Sequence, residues 1–102
     1  MPDMRCRVLR VDAPGGPDVL KMESVTLPEP AASEVRVRQT AIGLNYLDVY
    51  HRSGLYPLPL PTGVGSEAAG IVEEIGTGVS LVSVGDRVVY AGGPPGAYAS
   101  HR

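Results

Sequence analysis

At 102 residues, 43% of them hydrophobic and 20% charged, the chain has the size and make-up of one globular domain. Nine basic residues stand against eleven acidic ones, a formal net charge of −2 with no basic block, which argues against a nucleic-acid backbone or an anionic lipid surface as partner. Thirteen glycines and ten prolines favour short strands and turns over long helices.

With five tyrosines but no Phe and no Trp, the core must come from Val, Leu, Ile and Ala, and any polar aromatic site must use Tyr. Cys6 is the sole cysteine, so neither an internal disulfide nor a multi-cysteine zinc framework can form within these residues, and a reducing compartment fits. Residues 1–10 carry three arginines, but their longest apolar run is Val8-Leu9, well short of the roughly 7 to 15 residues of a signal-peptide core. Nothing later approaches the roughly 18 apolar residues of a membrane span. The expectation is a soluble, cytoplasmic protein.

Residues 5–11 open with the alternation Arg5, Cys6, Arg7, Val8, a strand that sends Cys6 and Val8 inward and the arginines outward. Ala13-Pro14-Gly15-Gly16-Pro17-Asp18 cannot continue it, because two prolines and two glycines remove ladder donors and favour turns. A second strand spans residues 20–27 and is closed by Pro28-Glu29-Pro30. The clearest period-two segment follows, with Val35, Val37, Gln39 and Ala41 on one face and Arg36, Arg38 and Thr40 on the other.

At Asn45 the pattern changes. Asn45 can cap a helix, Asp48 stands three residues on, and Asp48 with Arg52 has the favourable acid-before-base spacing, so a short helix ending near Gly54 is predicted. Tyr46 and Tyr50 then share one side of it, with Leu47 and Val49 available for packing. Alternate prolines make residues 56–61 an extended, rigid connector. Residues 68–75 and 87–91 read as strands, and a final strand starts at Ala97. Many short strands and one or two short helices predict a small, mainly β barrel within a single domain, residues 1–102.

Four candidate chemistries are weak. Gly63-Val64-Gly65-Ser66-Glu67-Ala68 has the G-x-G-x-x-A form of a dinucleotide fingerprint, with Asp86 downstream, but a proline-rich connector precedes it and a strand follows, where the fingerprint needs strand and then helix. His51 and His101 have no second ligand at metal spacing. Cys6 lies on a buried face, where thiols are usually inert. Ser66 does not sit in a nucleophile elbow.

What remains is a polar cluster of Asn45, Tyr46, Asp48, Tyr50, Arg52 and Tyr56. Tyrosine offers a flat ring and a hydroxyl donor, asparagine an amide donor and acceptor, a set that suits a planar carbonyl ligand. The bland reading stands beside it: Tyr46 packs in the core, and Asp48 with Arg52 is a surface ion pair.

Five motifs in order carry a family resemblance: Gly15-Gly16-Pro17-Asp18-Val19-Leu20, Ala41-Ile42-Gly43-Leu44-Asn45-Tyr46-Leu47-Asp48, Arg52-Ser53-Gly54-Leu55-Tyr56-Pro57, Gly65-Ser66-Glu67-Ala68-Ala69-Gly70-Ile71-Val72 and Gly85-Asp86-Arg87-Val88-Val89-Tyr90. Together they resemble the N-terminal part of NADPH-dependent quinone oxidoreductases of the medium-chain dehydrogenase/reductase superfamily. The resemblance implies a GroES-like, partly open β-barrel, here incomplete and without the family's Rossmann domain. It implies zinc-free chemistry, because Asn45 and Ser66 stand where zinc-dependent relatives carry cysteine and histidine, and the four-cysteine lobe of those relatives is absent.

By the same resemblance Asn45 and Tyr50 face the NADPH cofactor and Tyr56 the quinone, with Tyr50 and Tyr56 as the catalytic pair. Glu67, Asp48 and Arg52 are further pocket candidates. The expected parent is a homo-oligomer. The isolated 102 residues are expected to be inactive and, with open strand edges, prone to self-association. Two alternatives are a zinc-free enoyl or enone reductase of the same superfamily and a non-catalytic GroES-like binding or oligomerising module.

Overall fold

The alternating segments become strands of two antiparallel sheets in a computed structural model that describes residues 4–102; residues 1–3 of the arginine-bearing terminus lie outside the described residues. Strand β1 (Met4–Val11) pairs along its whole length with β2 (Leu20–Leu27), and a two-residue strand β4 (Thr62–Gly63) adds to its other edge. In the second sheet β5 (Glu67–Ile75) lies between β3 (Val35–Ile42) and β6 (Arg87–Ala91). One α-helix, α1 (Tyr46–Ser53), and a 3-10 turn at Pro17–Val19 complete the described elements. Among the described residues no helix is long and apolar enough to cross a membrane.

The sheets do not close into a barrel. They are stitched along one side by residues 97–102, which bond β1 and β3 in turn. The N–H of Leu9 donates to the Tyr98 carbonyl at 2.9 Å and that of Ser100 to the Arg7 carbonyl at 2.8 Å, while the N–H of Gln39 donates to the Ser100 carbonyl at 3.0 Å. The Gln39 side-chain amide donates to the carbonyls of Ala97 and Ala99, both at 2.8 Å. The final strand predicted from Ala97 is therefore present only as two isolated bridges, Val8 with Ala99 and Arg38 with His101, because its bonds alternate between two partners.

That close seam sets the composition of the core. Val11, Val64 and Val72 are the largest fully buried side chains, joined by Cys6, Val37, Ala68, Ala97 and Ala99. Leucine and isoleucine, expected to share the core, contribute no buried residue among those described. Cys6 points inward and Arg5 and Arg7 outward as the alternation predicts, though Val8 is only half-buried. Burial raises the Cys6 thiol pKa, in keeping with an inert group.

On β3 the alternation fails. Register shifts fall between Arg36 and Val37 and between Gln39 and Ala41, so Arg36 and Val37 are both buried while Ala41 is exposed. A bulge puts consecutive side chains on one face, which a strict period of two cannot anticipate. Arg36, expected to face outward, is 4% exposed and is accommodated by Glu73 and Glu74 of β5.

Candidate active site at the head of helix α1

Helix α1 starts where the residues require it to. Asn45 caps it with extended backbone, the N–H of Asn45 donates to Asp48 Oδ2 at 3.1 Å, and the N–H of Asp48 donates to the Asn45 carbonyl at 3.0 Å. Gly54 ends the helix in the left-handed region at φ 86°. Just upstream, the Gly43 N–H donates to the Glu67 carbonyl at 3.1 Å, and a Cβ at position 43 would overlap the Glu67 carboxylate. Glycine is thus needed there to bring the head of α1 against the start of β5, with Glu67 directly beneath it.

Tyr46, Tyr50 and Tyr56 form an aromatic wall, exposed at Tyr46 and Tyr56 and half-buried at Tyr50. The Tyr46 and Tyr50 rings lie 6.1 Å apart and those of Tyr50 and Tyr56 5.1 Å apart, both pairs tilted, in the range where aromatic edges meet faces. The connector places Tyr56 by donating its N–H to the Tyr50 carbonyl at 3.2 Å. Tyr46 is 77% exposed and Tyr56 52% exposed, which removes the reading of Tyr46 as a core residue. Asn45 is also exposed, at the head of the same helix.

Asp48 and Arg52 do not form the surface ion pair. Asp48 is 4% exposed, and its Oδ2 accepts the Tyr98 hydroxyl at 2.6 Å. Arg52 turns away from the wall: its Nε donates to the Gly15 carbonyl at 3.1 Å, while the Gly15 N–H donates to the Arg52 carbonyl at 3.0 Å. Its role in this arrangement is to tie the 13–16 loop to the end of α1. No sequence signal marks Tyr98, since it lies 50 positions from its partner and in no motif. Burial and the adjoining Asp48 carboxylate push its phenol pKa well above the usual tyrosine value, so it stays a donor.

The glycine motif at 63–68 is structural. It runs from β4 directly into β5 with no helix, a Cβ at Gly63 would press on Gly96, and Gly65 sits at φ 97° with the Tyr98 ring packed where its Cβ would be. Among the described residues no group of three or more His, Cys, Asp or Glu is placed to hold a metal ion; His101 Nε2 lies 3.5 Å from Glu73 Oε1. Two open grooves flank the sheets. One of about 410 Å³ is lined by Leu9, Met22, Ile42, Leu44 and Tyr98, a larger one of about 500 Å³ lies between β3 and β6, and neither is lined by any of the predicted site residues.

Comparison with known proteins agrees with this architecture. Residues 31–100 match the model of the alcohol dehydrogenase GroES-like domain, and the chain belongs to that family. It is 58% identical over 86 residues to a quinone oxidoreductase of Pseudomonas aeruginosa, covering 83% of this chain and 26% of that protein. A 2-haloacrylate reductase of a Burkholderia species is 48% identical over 93 residues, covering 86% of this chain and 28% of the relative. The crystal structure of an Escherichia coli quinone oxidoreductase complexed with NADPH superposes with a TM-score of 0.91 at 48% identity, over 94% of this chain and 30% of that one. The chain therefore spans under a third of the length of these relatives.

Proposed function

We propose that residues 1–102 form one domain that supplies the catalytic-domain side of a cleft in which a complete enzyme passes reducing equivalents from NADPH to a quinone. The observation that carries this reading is the aromatic wall of Tyr46, Tyr50 and Tyr56 beside the Asn45 cap, in a chain 58% identical over 86 residues to a quinone oxidoreductase. NADPH, when bound, supplies the hydride. The residues fit one side of a nicotinamide: Asn45 presents an exposed carboxamide with donor and acceptor, and Tyr50 a ring face held by its neighbours on both sides.

Tyr56 has the complementary task. Its phenol donates to the quinone oxygen as negative charge gathers there, and donors of this kind contribute on the order of 3 kcal/mol each in a site that excludes water. A quinone is already electrophilic, so neutral donors suffice where an alcohol dehydrogenase needs a Lewis acid. Asn45 and Ser66 offer an amide and a hydroxyl in place of thiolate and imidazole, which supports zinc-free chemistry. Glu67, whose carboxylate lies against Gly43, is the wall assigned to this pocket in the proposal.

A second reading, reduction of an activated alkene, is favoured by the 48% identity to the 2-haloacrylate reductase. Steady-state kinetics of the complete enzyme with NADPH separate the two. The quinone reading predicts kcat/KM for 1,4-benzoquinone at least about tenfold above that for 2-chloroacrylate or an enone, unchanged after removal of metal by a chelator. The reverse order establishes the alkene reading, and loss of turnover that zinc restores contradicts both.

A further inference from the structure

We propose that Asp48 and Tyr98 are a positioning pair that sets the Asn45 carboxamide from inside the domain, so that cofactor affinity depends on a phenol outside the aromatic wall. This inference rests on the reading of Asn45 as a cofactor contact and adds to it the residues through which that contact is fixed.

An ordinary capping acid sits in water and is worth little beyond its helix. Asp48 is different. It is 4% exposed, its Oδ2 accepts both the Asn45 N–H and the Tyr98 hydroxyl, and its Oδ1 has no hydrogen-bond partner among the described residues. A buried carboxylate with so few donors costs free energy, and such a cost persists where it fixes something.

What it fixes is the N-cap. Tyr98 is itself immobilised on three sides: its carbonyl accepts the Leu9 N–H at 2.9 Å, its N–H donates to the Val64 carbonyl at 2.9 Å, and its ring fills the space left by Gly65. Through Asp48 Oδ2, the backbone of Asn45 is therefore referenced to β1 and to the buried seam rather than to α1 alone. Loss of the phenol leaves Asp48 one donor short and frees the cap to shift, and small displacements of a ligand-orienting group are costly.

The test is a double-mutant cycle on NADPH binding by the complete enzyme, with Kd read by titration and folding checked by circular dichroism. Tyr98→Phe is expected to raise Kd about tenfold in the otherwise unaltered enzyme, and less than about twofold in an Asn45→Ala background, because the pair acts through Asn45. Asp48→Asn, which keeps the side chain's shape, is expected to show the same dependence on background, and it carries the test if Tyr98→Phe does not fold. An unchanged Kd in Tyr98→Phe, or an equal rise in both backgrounds, overturns the positioning role while leaving Asn45 in place. If Asn45→Ala itself leaves Kd unchanged, the cofactor assignment fails, and the inference fails with it.

Discussion

Among the described residues two charged side chains are buried, Arg36 and Asp48, and they are accommodated in opposite ways. Arg36, on β3, meets other charges: its Nη2 lies 3.1 Å from Glu74 Oε2 and its Nε 3.7 Å from Glu73 Oε1, with Arg38 and His101 also facing Glu73. Asp48, at the head of α1, meets only neutral donors, one backbone N–H and one phenol. The first arrangement holds neighbouring strands together and lies away from the aromatic wall. The second joins distant parts of the chain beneath the proposed cofactor contact. A buried charge matched by charge is weak grounds for a site, whereas one held by a few directed donors defines a position.

The sharpest way to break this contrast is to remove each charge partner and watch stability and binding separately. Arg36→Met leaves Glu73 and Glu74 without their shared cation and is expected to lower unfolding free energy by about 3 kcal/mol, the lower end for a broken buried pair because Arg38 and His101 still face Glu73. Denaturant unfolding measures it, and NADPH affinity should not move. A loss of affinity equal to that of Tyr98→Phe would dissolve the distinction between the two regions.

A smaller effect follows from pH. Because burial and Asp48 raise the Tyr98 pKa above its ordinary value of about 10, the folded state holds that proton longer than the unfolded chain does. The contribution is fully present below pH 10 and is lost as pH rises beyond it. Stability should therefore fall above about pH 10, and the fall should be shallower in Tyr98→Phe, as thermal unfolding across alkaline pH would record. Equal slopes in both proteins would mean that the phenol is not held by the carboxylate.

Much of this architecture is legible in the residues. Alternation locates β1 and β3, though not the bulge in β3, turn and proline residues bound β2, β5 and β6, and Asn45, Asp48 and Gly54 bracket α1 by cap chemistry alone. The expectation that a strand and not a helix follows the Gly63-Val64-Gly65 turn is met by β5. The polar cluster is legible in part, since Tyr46, Tyr50 and Tyr56 do meet.

The misses share a cause. The burial of Arg36 depends on a bulge, the roles of Arg52 and Asp48 on the Gly15 carbonyl and the Tyr98 phenol, and the existence of β4 on a two-residue pairing with β1. Each is decided by a partner far along the chain, and local spacing carries no trace of it. Helical spacing put Arg52 near Asp48, but bonds to fixed backbone and to a half-buried phenol outcompete an exposed ion pair worth about 0.5 kcal/mol.

In the proposed function it is the Tyr56 phenol that receives the quinone. The most direct test of this is kcat/KM for 1,4-benzoquinone in the complete enzyme carrying Tyr56→Phe, which removes the hydroxyl and keeps the ring. A fall of about a hundredfold, with NADPH affinity held, is the predicted result. Turnover undiminished by the loss of that hydroxyl would contradict it.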